Sequence, residues 1–210
     1  SFNRYISIAA GDVHSHAIRA DGTLWAWGSG GSASNGGPEL GILVNGNFPV
    51  GPVALTQVGS GNNWVRLFGG YRATFALRDT STETGQLWVW GSGSNLGKSK
   101  FIIETPERVG KASGWSHVSH STSLGDGGAH ALALKSDNTL YGWGANHPDG
   151  QLGLPLEDDQ GNFLFENTRL ENPTRLEAPD TFLAAGVGDG FSVLIDNAGF
   201  MRTAGRNDAG

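Results

Sequence analysis

Four copies of one pattern keep step along 210 residues. The cassettes "RADGTLWAWGSG" at 19–30, "TGQLWVWGSGSN" at 84–95 and "SDNTLYGWGANH" at 136–147 each set bulky rings just before a glycine. The anchoring glycines are Gly28, Gly91, Gly144 and Gly205, preceded by Trp27, Trp90, Trp143 and Ala204. A second glycine column, Gly11, Gly70, Gly127 and Gly188, lies 16 residues ahead of Trp27, Trp143 and Ala204 and 20 ahead of Trp90. The excess in the second copy fits within "RDTSTETGQ". From glycine to glycine the period is 59, 57 and 61 residues. An aromatic column, Tyr5, Trp64 and Phe182, stands six residues ahead of its glycine; Trp115 stands 12 ahead, with an insertion in "HSTSLGD". Self-similarity of this kind marks like units that hide their apolar faces against one another.

The local pattern is all β. "SHAIRADGTLWAWG" alternates about Asp21-Gly22, a pair suited to the positive φ angles of a two-residue primed hairpin turn. Asp137-Asn138 and Ala198-Gly199 hold the same place. Trp25 and Trp27 share one strand face because side chains alternate with period two. Four antiparallel strands per unit at a fixed period define propeller blades. The tryptophans before the glycines are therefore expected to pack between blades rather than to hold a ligand. The expected organisation is one domain over 1–210, with units at 1–52, 53–106, 107–173 and 174–210.

Composition narrows the function. Charged residues make up only 16% of the chain, and 20 acidic against 14 basic residues leave a net charge of −6. Lysines and arginines are scattered singly, which leaves no footprint for a phosphate backbone, so no nucleic-acid partner is expected. There is no cysteine, and hence no disulfide and no thiolate ligand. No apolar run approaches the ~18 residues of a membrane span, and no signal peptide is visible, so no membrane insertion is expected.

Gly11-x-x-His14-Ser15-x-Ala17-Ile18, Asp21-Gly22-Thr23-Leu24 and Trp25-Ala26-Trp27-Gly28 resemble the regulator of chromosome condensation repeats. So do Gly127-x-x-His130 and "GWGANHPDGQLGL" at 142–154, while "TPERVG" and "NPTRLEAP" resemble the proline-led strand that begins the following blade of that repeat. The resemblance implies a β-propeller, which in that family usually closes with seven blades. Ala73 and Phe191 stand where the repeat has His, and Ala204 where it has Trp. The long connections give the chain the style of bacterial surface and tailed-phage structural members. The landmarks cover about three and a half blades, so a ring completed by further sequence or further chains is expected.

Candidate chemistry is sparse. His14 and His16 share a strand face and His117 and His120 lie three apart, but no third or fourth zinc ligand stands at a recognisable spacing. Glu157, Asp158 and Asp159 could offer oxygens to calcium, yet their spacing is not that of an EF-hand loop. No nucleophile, base and orienter come together, and no G-x-S-x-G, P-loop or H-E-x-x-H is present. No catalytic residue, cofactor or metal is assigned. The leading expectation is a non-catalytic structural or protein-interaction scaffold, its long connections 29–63 and 145–181 forming the contact surfaces. Its partners would be other subunits of a larger assembly, in a virion or at a cell surface, with a cytoplasmic setting left open. The resemblance implies an alternative, a guanine-nucleotide exchange factor for a small GTPase. A third reading is a carbohydrate-binding module using Phe163, Phe165 or Phe48.

Overall fold

The structure, a computed structural model, describes residues 4–30, 37–121, 129–155, 160–162, 169–176 and 181–206. Among the described residues fifteen strands and one 3-10 turn follow one another. β1 (Tyr5–Ala10), β2 (His14–Arg19), β3 (Leu24–Gly28) and β4 (Val53–Gln57) form the first sheet in chain order. β5 (Trp64–Gly69), β6 (Ala73–Arg78), β7 (Gln86–Ser92) and β8 (Ile102–Arg108) form the second. The third joins β9 (Trp115–His120), β10 (His130–Lys135), β11 (Leu140–Ala145) and β12 (Arg169–Arg175). The fourth has three strands among the described residues, β13 (Phe182–Val187), β14 (Phe191–Asp196) and β15 (Met201–Gly205). All described pairings are antiparallel. β4 lies in the second expected unit, and β8 and β12 straddle the expected boundaries at 106/107 and 173/174; the proline-led strands expected to begin the following blade instead close the preceding sheet, β8 along β7 and β12 along β11. The chain divides into two compact units, one of residues 1–96 and 100–115, the other of 97–99 and 116–210.

The sequence columns are columns of the sheets. His14 pairs with Gly28, Ala73 with Gly91, His130 with Gly144 and Phe191 with Gly205. Those four glycines have φ of 103°, 111°, 92° and 102°, in the left-handed half of the map. A Cβ on Gly91 would lie 2.2 Å from the carbonyl oxygen of Arg72, so both conformation and space exclude a side chain. Gly91→Ala is expected to lower stability by about 1–3 kcal/mol through backbone strain alone, read as a drop in denaturant midpoint with m unchanged.

The hairpins differ from the expected two-residue primed turns. Around Asp21-Gly22, Gly22 N–H donates to Arg19 O and Arg19 N–H to Thr23 O, and only Gly22 has positive φ. The pattern repeats at Lys135–Thr139, with positive φ at Asn138, and at Asp196–Phe200, with positive φ at Gly199. These are three-residue loops, a turn followed by one left-handed residue. Asp21 favours that geometry by accepting from the Thr23 N–H at 3.0 Å and hydroxyl at 2.6 Å, and Asp137 does the same for Thr139 at 3.0 and 2.7 Å. The same bonds hold both carboxyls below the usual range. A primed turn does occur at Asn45-Gly46, where φ is 53° and 79° and Val44 and Asn47 exchange both backbone bonds.

At the end of β2, β6 and β10 a cation lies over a ring on the next strand: Arg19 on Trp25 at 3.5 Å, Arg78 on Trp88 at 5.1 Å, Lys135 on Tyr141 at 5.3 Å. In the fourth sheet the polarity is exchanged. Asp196 holds the cation position, Arg202 holds the ring position, and they pair at 2.9 Å. Burial pushes the Asp196 carboxyl up, but donation from the Phe200 N–H and from Arg202 outweighs it and leaves the carboxyl lowered.

Candidate interaction surfaces

Within the first unit, the first and second sheets stack through a buried polar chain. The Trp90 indole N–H donates to His16 Nε2 at 3.1 Å, the rings meeting edge to face at 5.0 Å. An indole can only donate, so His16 Nε2 accepts and its proton sits on Nδ1. That nitrogen lies 3.3 Å from Thr74 Oγ1, which in turn lies 3.2 Å from His14 Nε2. Thr74 thus accepts from His16 and its hydroxyl bonds His14 as well. Burial lowers His14 to about 4, against a weaker pull from Asp12. It lowers His16 to about 3, helped by repulsion from His14 and opposed by the Leu40 carbonyl. Both rings are neutral at pH 7.

Within the second unit the same strut recurs with the other tautomer. His130 Nε2 lies 2.8 Å from Ser192 Oγ, whose proton goes to the Gln151 carbonyl at 2.7 Å, so His130 donates. Around it Leu132, Leu134, Leu140, Leu152, Leu176 and Phe182 form the apolar core. His117 bonds the Ala185 carbonyl at 3.2 Å. His14, His16, His120 and His130 are all buried, and His117 partly so. Among the described residues no three His, Cys, Asp or Glu side chains are placed to hold a metal ion. Glu157, Asp158 and Asp159 lie outside the described residues, as do Phe163 and Phe165; Phe48 is half-buried.

The tryptophan column divides. Trp90 and Trp143 are fully buried, and Trp90 packs against the preceding sheet as expected. Trp27 is half-buried and lines an apolar groove of about 470 Å³ with Tyr5, Ile8, Ala17, Val53 and Leu55.

Only part of the long connections is surface. The 3-10 turn Pro38–Leu40 is buried, with Gly41 against the face of Trp90 and Glu39 accepting from the Ser92 hydroxyl at 2.9 Å. In the second connection Asn146, Gln151 and Leu152 are buried, Asn146 taking the Leu152 N–H and donating to the Leu154 carbonyl. Among its described residues the first connection exposes the primed hairpin Val44–Asn47 and Val50, together with Ala54, Leu55 and Gln57 on β4 and the turn at 59–62. The Asn-Gly pair was the signal for the hairpin. No helix among the described residues is long and apolar enough to cross a membrane.

Four-stranded antiparallel sheets, repeated in sequence register and stacked through equivalent struts within each unit, define the class: these are β-propeller blades. The regulator of chromosome condensation (RCC1) repeat matches at residues 5–33 and 123–151. The chain thus resembles the RCC1-repeat β-propellers in these two stretches and in its fold. It is 28% identical to Protein RCC1 of Candida albicans over 204 residues, covering 89% of this chain and 40% of that protein. It is 29% identical to the guanine nucleotide exchange factor SRM1 of Saccharomyces cerevisiae over 133 residues, 60% of this chain and 25% of that one. The crystal structure of Prp20p from the same yeast, described with its binding properties to Gsp1p and histones, superposes with a TM-score of 0.69 at 21% identity. That superposition covers 98% of this chain and 46% of the yeast chain and shows a shared fold. The chain spans less than half the length of these relatives. None of them supports a virion or cell-surface setting.

Proposed function

We propose that the chain is a protein-interaction scaffold built on propeller blades, non-catalytic in the sense that no covalent chemistry passes through its side chains. What supports the reading most directly is where the histidines go. The polar groups that could have formed a reactive centre, His14, His16, Thr74, His130 and Ser192, are buried and spent on joining sheets. Connections such as the exposed hairpin at Asn45-Gly46 are carried by sheets that fix their position.

A second reading, guanine-nucleotide exchange on a small GTPase, is favoured by the likeness to an exchange factor over 60% of this chain. The two separate in one assay. The protein is mixed with small GTPases loaded with a fluorescent guanine nucleotide, and both binding and release are followed. Binding with unchanged release is expected of a scaffold. Accelerated release would replace the scaffold reading with exchange, and absence of any bound protein partner in a purified-component screen would remove both.

A further inference from the structure

We infer that Asn45 is a modification site, at which the exposed hairpin deamidates spontaneously and trades a neutral turn for an anionic one. Among the described residues Asn45 is the one asparagine followed by glycine. In the primed turn Val44 and Asn47 exchange both backbone bonds, at 2.8 and 3.1 Å, and the Gly46 N–H takes part in neither. Val44, Asn45, Gly46 and Asn47 are all exposed, and a Cβ on Gly46 would meet nothing within 4 Å. The Gly46 nitrogen is therefore open to approach and to loss of its proton, unshielded by a side chain of its own. Two surface bonds hold the turn, so local opening costs little.

The reaction needs water alone. The Gly46 nitrogen attacks Asn45 Cγ; the N–Cγ bond forms, the Cγ–Nδ2 bond breaks, and Nδ2 leaves as ammonia with the proton that the Gly46 nitrogen gives up. Water then opens the five-membered imide at either carbonyl. One opening leaves aspartate, the other isoaspartate, with the main chain routed through the side-chain carbon. Nothing is oxidised or reduced. Asp21-Gly22 is a similar pair but a guarded one. Its carboxylate accepts from the Thr23 hydroxyl and N–H, which hold it below the usual range, and an ionised carboxylate resists attack. The product matters because residues 40–65 contain no Asp, Glu, Lys, Arg or His. The new carboxylate is the one charge of that stretch, and isoaspartate lengthens the turn by a chain atom, which breaks the pairing of Val44 with Asn47. Its effect on a partner rests on the scaffold reading; the chemistry does not, and it is read by mass rather than by binding.

The test ages the intact protein at pH 7.5 and at pH 9 and reads peptide maps by mass, with isoaspartate scored by enzymatic methyl transfer. A gain of one dalton is expected roughly tenfold more often at Asn45 than at Asn47, where the following Phe48 shields the attacking nitrogen. The gain should be faster at pH 9, where that nitrogen loses its proton more readily, and isoaspartate should form beside aspartate. Asn45→Gln, altered at an exposed side chain, should melt like the parent and show no gain at residue 45, since its ring would need six members. A free peptide of residues 42–50, "ILVNGNFPV", reports the rate without the turn. Asn45 left intact while that peptide is consumed, a gain no greater at Asn45 than at Asn47, or aspartate without isoaspartate would each overturn the assignment.

Discussion

Trp90→Ala is expected to lower the stability of the protein by about 3–5 kcal/mol, the range for deleting a large buried ring that its surroundings cannot collapse around. Three elements converge on this side chain. His16 meets it edge to face and accepts its N–H, Trp64 packs at 6.2 Å, and Gly41 lies against its five-membered ring. Truncation therefore opens a cavity, frees the buried 3-10 turn and leaves His16 Nε2 without its donor. The control sits in the same column. Trp27, half-buried beside the groove, should cost about 1–2 kcal/mol when changed to alanine, because less apolar area returns to water. Urea melts of both variants read the difference; equal losses would mean that the column position, not the packing, sets the cost.

Acid is expected to destabilise the fold well above the pH at which most carboxylates titrate. His14 and His16 bind protons at 6.5 in the unfolded chain and only near 4 and 3 when folded. Below 6.5 the unfolded state therefore binds more protons, and stability falls as pH falls. It is fully present above 6.5 and drains away towards pH 4 and then 3, with a loss of about 3 kcal/mol from His14 alone. Asp12 beside His14 softens the effect only slightly. Denaturant midpoints between pH 7.5 and 4.5 should slope downward in acid. His16→Leu should be less stable at pH 7.5, having lost the acceptor for Trp90, but its profile should be flatter. A variant with the same slope as the parent would assign the acid sensitivity to other groups.

The repeating glycines and rings made the inner strands of each sheet and the stacking role of Trp90 readable in the sequence, because each column answers a backbone or packing requirement that leaves few residue choices; the proline-led β8 and β12 carry no such column, and they close the preceding sheet rather than begin the next. Gly91 is such a case: φ of 111° and a carbonyl at 2.2 Å admit nothing larger. The hairpins were less legible. Asp21-Gly22 suits a primed turn, but the bonds from Thr23 to the Asp21 carboxylate select a longer loop, and that depends on one neighbour. The burial of Pro38–Leu40 was hidden because its reason, a place against Trp90, lies 50 residues away in sequence. The role of the histidines was half-visible. Their shared slot pointed to a structural purpose, while the hydroxyl each one meets stands in the next repeat, at Thr74 and Ser192.

That last arrangement makes the repeats unequal as building blocks. A histidine in one sheet is matched by a hydroxyl one slot further along in its successor, so each repeat is written with its follower in view. The third repeat has Ala131 in the hydroxyl slot and follows Ala73, which has no imidazole to present. Shuffling the repeats would strand a hydroxyl or an imidazole in a dry interior, where a missing mate costs about 1–3 kcal/mol. Serial order is thus enforced by grammar between adjacent words, and a duplication that copied one repeat in place would have to relearn its neighbours before it could fold well.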